Sequence, residues 1–130
     1  MNEITYNTLT KALAQYGKSE GIIFKKQDLA TWEKNTAEEI IEVPDFDYLR
    51  LREFLMLNGR IFEETIEKLS YCAVLKFGYK KSNEAFVVIL RESEKIYIGA
   101  YSKEGLINQH LSKKAVDLVK EEILKISGKS

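Results

Sequence analysis

The feature that most limits the fold is a change of apolar period near Tyr71. From there, apolar residues alternate at a period of two in three runs, "YCAVLKFGY", "EAFVVIL" and "KIYIGAY". The polar segments "KKSN" and "RESEK" separate these runs, which predicts an antiparallel meander of three strands. The middle run is apolar on both of its faces. We therefore expect it to be a central strand that is covered on both sides.

Segments with helical spacing lie near both ends of the chain. The first is predicted to form a helix over about residues 3–17, which Gly17 ends. The last is a long helix that continues to Ile126. It begins at Gly105 or at Ser112, which would be a good cap, and the pattern leaves both starts open.

Between the first helix and the meander, the sequence predicts a hairpin and two short helices. Residues 22–24 begin a strand, "KKQD" forms the turn and "ATWEKN" forms the second arm. An acidic stretch follows, punctuated by Pro44, and Asp45 or Asp47 then caps a helix that ends at Gly59. The apolar stripe of the shorter helix after it comprises Ile61, Phe62, Ile66 and Leu69.

Together these elements predict an α+β domain. The simplest arrangement is one antiparallel sheet, with the first and last helices on one face and the two middle helices on the other. At 130 residues, the chain has the length of a single domain with one core.

The composition excludes several classes of protein. Twenty basic residues balance twenty acidic ones, so no overall field attracts the chain to nucleic acid. No apolar run approaches the roughly 20 residues that span a bilayer. Polar residues interrupt the N-terminal segment, so we expect neither a signal peptide nor a membrane anchor. The single cysteine, Cys72, excludes an internal disulfide and fits a reducing cytoplasm.

Few residues in the sequence suggest catalysis. The single histidine, His110, has no second histidine or cysteine near it, and a zinc site usually needs three or four such ligands. Cys72 has no evident base as a partner, so we interpret it as a small core residue. The glycines form no loop of the kind that binds phosphate. We therefore expect no enzyme, no metal and no cofactor.

Lysines form the more informative cluster. Lys76, Lys80 and Lys81 surround the first hairpin of the meander, and Lys113 and Lys114 lie on the last helix. Two interpretations stay open. The lysines are a solvated edge that discourages aggregation, or they contact an acidic protein surface or an anionic lipid headgroup.

In the order of its elements, the chain resembles the profilin family, small proteins that bind actin monomers. Tyr6 followed by "GIIF…ATWEKN" is similar to the family's opening hairpin, which bears a tryptophan. Pro44 with the helix after it, and then "GRIFEETIEKL", resemble its second and third helices. "IYIGAYSKEGLIN" is similar to its last strand and the start of its last helix. The resemblance implies one profilin-like domain over residues 1–130, and it fits a divergent, archaeal member.

This resemblance implies an actin-binding face on the third helix, the outer face of the meander and the start of the last helix. The positions carried over to this face are Phe62, Lys76, Gly105, Asn108 and Lys113. The neighbours that geometry adds are Lys80, Lys81 and Phe86. The resemblance implies a monomer of the cytoplasm and cytoskeleton that regulates actin polymerisation, with anionic phospholipid such as a phosphoinositide as a further ligand.

The resemblance also bears on proline-rich ligands. Family members stack these ligands on aromatic residues of the first and last helices and on the hairpin tryptophan, and Tyr6 and Trp32 match part of that set. Glu3, Asp117 and Ile123 stand where other aromatic residues would be. Because a groove for a polyproline helix needs several aromatic walls, we expect weak or no binding of such ligands.

A second class of protein has the same order of elements. Roadblock- and longin-like domains dimerise through a sheet edge or a helix, and they are scaffolds for small GTPases. A stable homodimer in solution would favour this alternative, whereas a monomer would favour the profilin-like interpretation.

Overall fold

The computed structural model describes residues 1–19, 32–78, 83–103 and 109–128. Its elements confirm the predicted α+β class. In chain order they are α1 (Glu3–Ser19), the single turn α2 (Trp32–Asn35), β1 (Thr36–Glu42), α3 (Tyr48–Asn58), β2 (Gly59–Thr65), β3 (Ser70–Phe77), β4 (Asn83–Glu92), β5 (Lys95–Tyr101) and α4 (Leu111–Ser127).

The strands of the described part form one antiparallel sheet in the order β1-β5-β4-β3-β2. The predicted meander of β3, β4 and β5 is confirmed, and β4 is the central strand. Ala85 and Val87 of β4 belong to the core on one face of the sheet, and Phe86 and Val88 to the core on the other. This arrangement explains why the middle apolar run lacks a polar face.

The helices are distributed over the two faces differently from the prediction. Leu51 of α3 and Ile123 of α4 join the core on one face, whereas Leu9 of α1 joins the core on the opposite face. The adjacent residues Glu38 and Glu39 of β1 show the same division. The carboxylate of Glu38 accepts from the backbone N–H of Asn2, which precedes α1, at 3.1 Å, and Glu39 lies 3.3 Å from Lys120 of α4.

The prediction that the first and last helices share a face is therefore wrong. The periodicity of a helix shows which of its sides is buried, but it does not show which face of the sheet that side covers. Because the central strands are apolar on both faces, either arrangement would have satisfied the sequence pattern.

The opening hairpin is the second point of difference. Residues 20–31, which include the predicted strand at residues 22–24, lie outside the described residues. The second arm at "ATWEKN" is contradicted, because Trp32–Asn35 is a helical turn and β1 begins only at Thr36. In the described part, β1 is an edge strand that pairs with β5. An edge strand accommodates the carboxylates of "TAEEIIE", the stretch whose acidic residues gave no strand pattern in the sequence.

The predicted third helix is a strand, β2. It pairs with β3, and a register shift between Ile61 and Glu63 makes Phe62 a β-bulge. Ile61 packs towards α3 and α4, whereas Phe62 packs towards α1. A bulge disturbs the simple alternation that identifies a strand, so the segment imitates helical spacing in the sequence.

The start of α1 and both ends of α3 are confirmed. The end of α1 and the start of the last helix are revised, since α1 continues past Gly17 to at least Ser19. α1 occupies Glu3–Ser19, and α3 begins after Asp47, whose Oδ1 accepts from the N–H of Leu49 at 3.0 Å. α4 begins at Leu111, directly after His110 in the left-handed region (φ 53°). The predicted start at Ser112 is therefore one residue late, and a continuous helix from Gly105 is excluded because Gln109 and His110 are not helical. Gly105 itself lies outside the described residues.

Candidate functional site

Two of the predicted actin contacts, Phe62 and Phe86, lie beneath α1. The ring of Tyr16 is 5.4 Å from that of Phe62 and 5.0 Å from that of Phe86, measured between centroids. Phe86 is 5% exposed, and Phe62 is half-buried. Phe86 is thus a core residue that holds α1 on the sheet. This corrects its assignment to the surface.

Lysines gather at the end of the sheet that contains the β3–β4 connection. We call this region the basic end and define it by Lys76, Lys103, Lys113 and Lys114, all of which are exposed. Lys76 lies near the end of β3, Lys103 follows β5, and the other two lie in the first turn of α4. Lys80 and Lys81 lie between Gly78 and Asn83 in the sequence and are outside the described residues.

Two hydrogen bonds hold the parts of the basic end together. The side-chain amide of Asn83 donates to Oε1 of Gln109 at 3.1 Å, which joins the first residue of β4 to the segment before α4. The hydroxyl of Ser102 donates to the backbone carbonyl of Glu84 at 3.0 Å. These bonds place lysines that are distant in the sequence at one end of the molecule.

Nearby carboxylates offset only part of this positive charge. Glu84 lies opposite Lys76 in the ladder between β3 and β4. Nζ of Lys113 lies 3.2 Å from Oδ1 and Oδ2 of Asp117, with the two side chains 66% and 43% exposed. An exposed pair of this kind contributes little energy, so Asp117 holds the side chain of Lys113 only weakly.

The structure does not bring all the predicted site residues onto one flat face. Lys76 and Lys113 share the basic end, but Phe62 packs on the side of the sheet that α1 covers, and α4 lies on the other side. Gly105 and Asn108 lie outside the described residues.

The predicted crevice for proline-rich ligands is also not assembled from both terminal helices. Tyr6 lies on α1 and is 41% exposed, while Asp117 and Ile123 lie on α4, across the sheet. Trp32 begins the turn α2, and its side chain lies outside the described part. Residues of α1 and α4 therefore cannot wall one groove together.

A second surface feature, which the sequence reasoning missed, is an open groove of about 560 Å³ beside the edge strand β2. Arg52, Met56 and residues 59–64 line it. Nε of Arg52 donates to Oε2 of Glu64 at 2.8 Å, and this hydrogen bond with its charge attraction raises the pKa of the guanidinium. The groove was missed because "GRIFEET" was assigned to a helix.

Among the described residues, three further groups have raised pKa values, and two of them, Tyr71 and Cys72, lie on β3 opposite the groove residues Glu64 and Glu63. Burial and then the hydrogen bond to Asp45 raise the pKa of Tyr48, and burial raises that of Tyr71. Burial is also the main cause that raises the pKa of Cys72 to about 12, with a smaller effect from Glu63. Such a thiol is protonated at neutral pH, which is the opposite of an activated nucleophile.

These observations define a class of protein: an α+β domain whose described strands form one antiparallel sheet, with a basic end and with β2 as an edge strand among the described strands. Among the described residues, no group of three or more His, Cys, Asp or Glu side chains could hold a metal ion. None of the helices described has the length and apolar character to cross a membrane. Comparison with models of known protein families and with curated proteins gave no match.

Proposed function

We propose that this protein is a non-catalytic, profilin-like protein that binds actin monomers through its basic end and so regulates actin polymerisation. The observation that carries the proposal is the hydrogen bond between Asn83 and Gln109. It joins the start of β4, which pairs with the end of β3 beside Lys76, to the segment just before the first turn of α4, which bears Lys113 and Lys114. The proposed location is the cytoplasm and cytoskeleton.

The physical reason for this partner is charge. Clustered cations on one side of a nearly neutral molecule accelerate encounter with an acidic surface and orient it, although they add less to the final affinity. Because exposed charges are screened over about 8 Å at physiological ionic strength, binding through the basic end should weaken as salt is added. Lys80, Lys81, Gly105 and Asn108 are proposed neighbours of this surface.

Two features of the fold limit which residues and ligands can belong to the proposed binding surface. Phe86 is buried, so the aromatic anchor of the face cannot be this residue. Proline-rich ligands are proposed to bind weakly or not at all, because Tyr6 and α4 lie on opposite sides of the sheet. Anionic phospholipid such as a phosphoinositide is proposed as a second ligand of the same lysines.

The test is polymerisation of pyrene-labelled actin with and without the protein. The double variant Lys76→Glu/Lys113→Glu should lose most of the effect, because it reverses two charges of the basic end. Lys11→Glu is the matched control, since Lys11 is an exposed lysine on α1, outside the basic end. The wild-type protein is tested at about 10–50 µM, well above the Kd of a useful monomer binder. If it changes neither nucleation nor elongation at these concentrations, the proposed function is refuted. An unchanged double variant would refute the site.

A dimeric scaffold domain for small GTPases, of the roadblock or longin kind, is the second candidate. The observation that favours it is the open edge of β2 next to exposed apolar residues of α3. Under this alternative the chain forms a homodimer without actin and binds a small GTPase. Sedimentation of the chain alone distinguishes the alternative from a monomeric actin-binding protein.

A further inference from the structure

We infer that Met56 is a site of reversible oxidation to methionine sulfoxide by a hydroperoxide, and that Arg52 directs this oxidation to one of the two sulfoxide epimers. Met56 lies in the groove between α3 and β2, which shares no residue with the basic end. The inference therefore goes beyond the proposed function, and its test does not depend on actin binding.

The first observation is that a small oxidant can reach the sulfur. Met56 is 53% exposed, and the groove of about 560 Å³ that it lines is open to solvent. A methionine in a closed core is protected from dissolved peroxide, whereas an accessible one is a common target of oxidation. We therefore expect Met56 to be oxidised in the folded protein, without prior unfolding.

The second observation is a hydrogen-bond donor placed against this sulfur. Nη1 of Arg52 donates to Sδ of Met56 at 3.2 Å. The two residues are four positions apart on α3, so their side chains lie on the same side of the helix. A thioether sulfur is a weak acceptor with two lone pairs, and this contact engages one of them. The other lone pair stays free to attack an oxidant.

Glu64 of β2 keeps the guanidinium in this position. Its Oε2 accepts from Nε of Arg52 at 2.8 Å. Because the guanidinium is planar and rigid, a bond at Nε also limits where Nη1 can point. Arg52 thus bridges the strand and the helix, with Glu64 bound through Nε and Met56 through Nη1. The donor consequently approaches the sulfur from one side.

The reaction transfers one oxygen atom to the sulfur. The free lone pair of Sδ attacks an oxygen of the hydroperoxide, the S–O bond forms and the O–O bond breaks. The sulfur loses two electrons, and the hydroperoxide is reduced to water or to an alcohol. The sulfoxide is chiral, and attack through one lone pair or the other gives opposite configurations. A donor on one lone pair therefore favours one epimer.

The configuration of the product determines how the thioether is restored. Methionine sulfoxide is reduced by thiol-dependent reductases, in which a dithiol becomes a disulfide and the oxygen leaves as water. Each epimer has its own class of reductase, so one epimer at Met56 needs one class. Until it is reduced, the sulfoxide places a polar oxygen on a surface that also contains Ile61 and Phe62.

The test is oxidation of the folded chain with hydrogen peroxide, followed by digestion with trypsin and mass spectrometry. Met1 and Met56 are the two methionines of the sequence, and they fall in separate tryptic peptides, residues 1–11 and 53–60. Treating the peptides with each of the two stereospecific reductases gives the epimer ratio at each position. We expect one epimer of Met56 in at least about twofold excess, the ratio that one weak hydrogen bond sustains.

Three controls separate the role of Arg52 from simple exposure. Met1 is 50% exposed and should give nearly equal epimers under the same conditions. Arg52→Leu removes the donor, so the epimer ratio at Met56 should fall to that at Met1. Oxidation of the wild type in concentrated urea removes the folded contact without a substitution, and it should have the same effect. Circular dichroism checks that Arg52→Leu folds.

The epimer ratios decide between the outcomes. An excess of one epimer at Met56 that disappears in Arg52→Leu and in urea supports the inference. If Met56 stays reduced in the folded protein while Met1 is oxidised, the site is overturned. If the folded wild type gives equal epimers at Met56, or if Arg52→Leu leaves the excess unchanged, the role of Arg52 is overturned.

Discussion

Replacing Gly99 with alanine tests the placement of α1 on the face of the sheet opposite α4. Gly99 lies on β5, directly beneath Thr5 of α1. A Cβ atom at this position would lie 2.5 Å from Cγ2 of Thr5 and 3.4 Å from Cγ2 of Val88. The missing side chain therefore allows the helix to approach the sheet closely.

The expected cost follows from that distance. Carbon atoms in contact are about 3.5–4.0 Å apart, so α1 must move by roughly 1 Å or Thr5 must leave its position. Thr5 is 1% exposed, which leaves it little room to move. Overpacking of this kind costs about 1–3 kcal/mol. For a domain of this size, the change corresponds to a decrease in Tm of roughly 4–15 °C.

The rescue variant is Gly99→Ala/Thr5→Ala. The hydroxyl of Thr5 is buried without a hydrogen-bond partner among the described residues, so its removal sacrifices no bond. Thr5→Ala alone should therefore change stability by less than about 1 kcal/mol, since the lost methyl contact is offset by the removal of an unpaired hydroxyl. In the double variant, the space left by the threonine methyl accepts the new Cβ, and most of the stability should return.

Thermal and urea unfolding of the wild type, Gly99→Ala, Thr5→Ala and the double variant measure the coupling between positions 99 and 5 directly. Gly99→Ala with wild-type stability would show that α1 lies further from β5 than the structure has it. A double variant no more stable than Gly99→Ala would show that Thr5 is not the residue in contact. Either result would refute the packing of α1 on this face.

The remaining predictions concern Cys72 and Phe86. Because the pKa of the Cys72 thiol is raised to about 12, the folded protein should react slowly with a thiol reagent at pH 8 and completely once unfolded; rapid reaction of the folded form would contradict the burial. In the unfolded chain the thiol ionises from about pH 9. The contribution of Cys72 to the free energy of unfolding should therefore be lost as pH rises from about 9 to about 12. Over this range, urea unfolding should show a smaller decline of that free energy for Cys72→Ala than for the wild type. Phe86→Ala should lower the free energy of unfolding by about 3–5 kcal/mol in urea unfolding, as the removal of a buried aromatic ring does. A loss below about 0.5 kcal/mol would indicate a surface residue.

The elements that could be predicted are those whose pattern is local. α1 and α3 carry apolar stripes, and β3 to β5 are short apolar runs separated by polar turns, so each was recognised from its own residues. The two edge strands were not recognised, since acidic residues occupy β1 and a bulge interrupts β2. Edge strands have fewer neighbours than central strands, and their sequences are correspondingly less constrained.

The candidate surfaces, too, could be predicted only in part from the sequence. The lysine cluster was visible in the sequence, but only the bond between Asn83 and Gln109 shows that the starts of β4 and α4 lie at one end. Phe86 was assigned to the surface as a geometric neighbour of the face that the profilin resemblance implied, and the sequence pattern does not show that α1 covers this face of β4. The groove beside β2 could not be predicted at all, since it requires α3 and an edge strand to be neighbours.

The sequence by itself determined the α+β class, the central strand and the presence of a basic cluster on a neutral chain. These properties depend on period and charge, which each segment carries alone. The tertiary structure decided which helix covers which face, and with it which aromatic residues are buried and which edge stays open. That choice depends on how the apolar sides of separate segments fit together, because a sheet that is apolar on both faces attracts every amphipathic helix equally until packing distinguishes them.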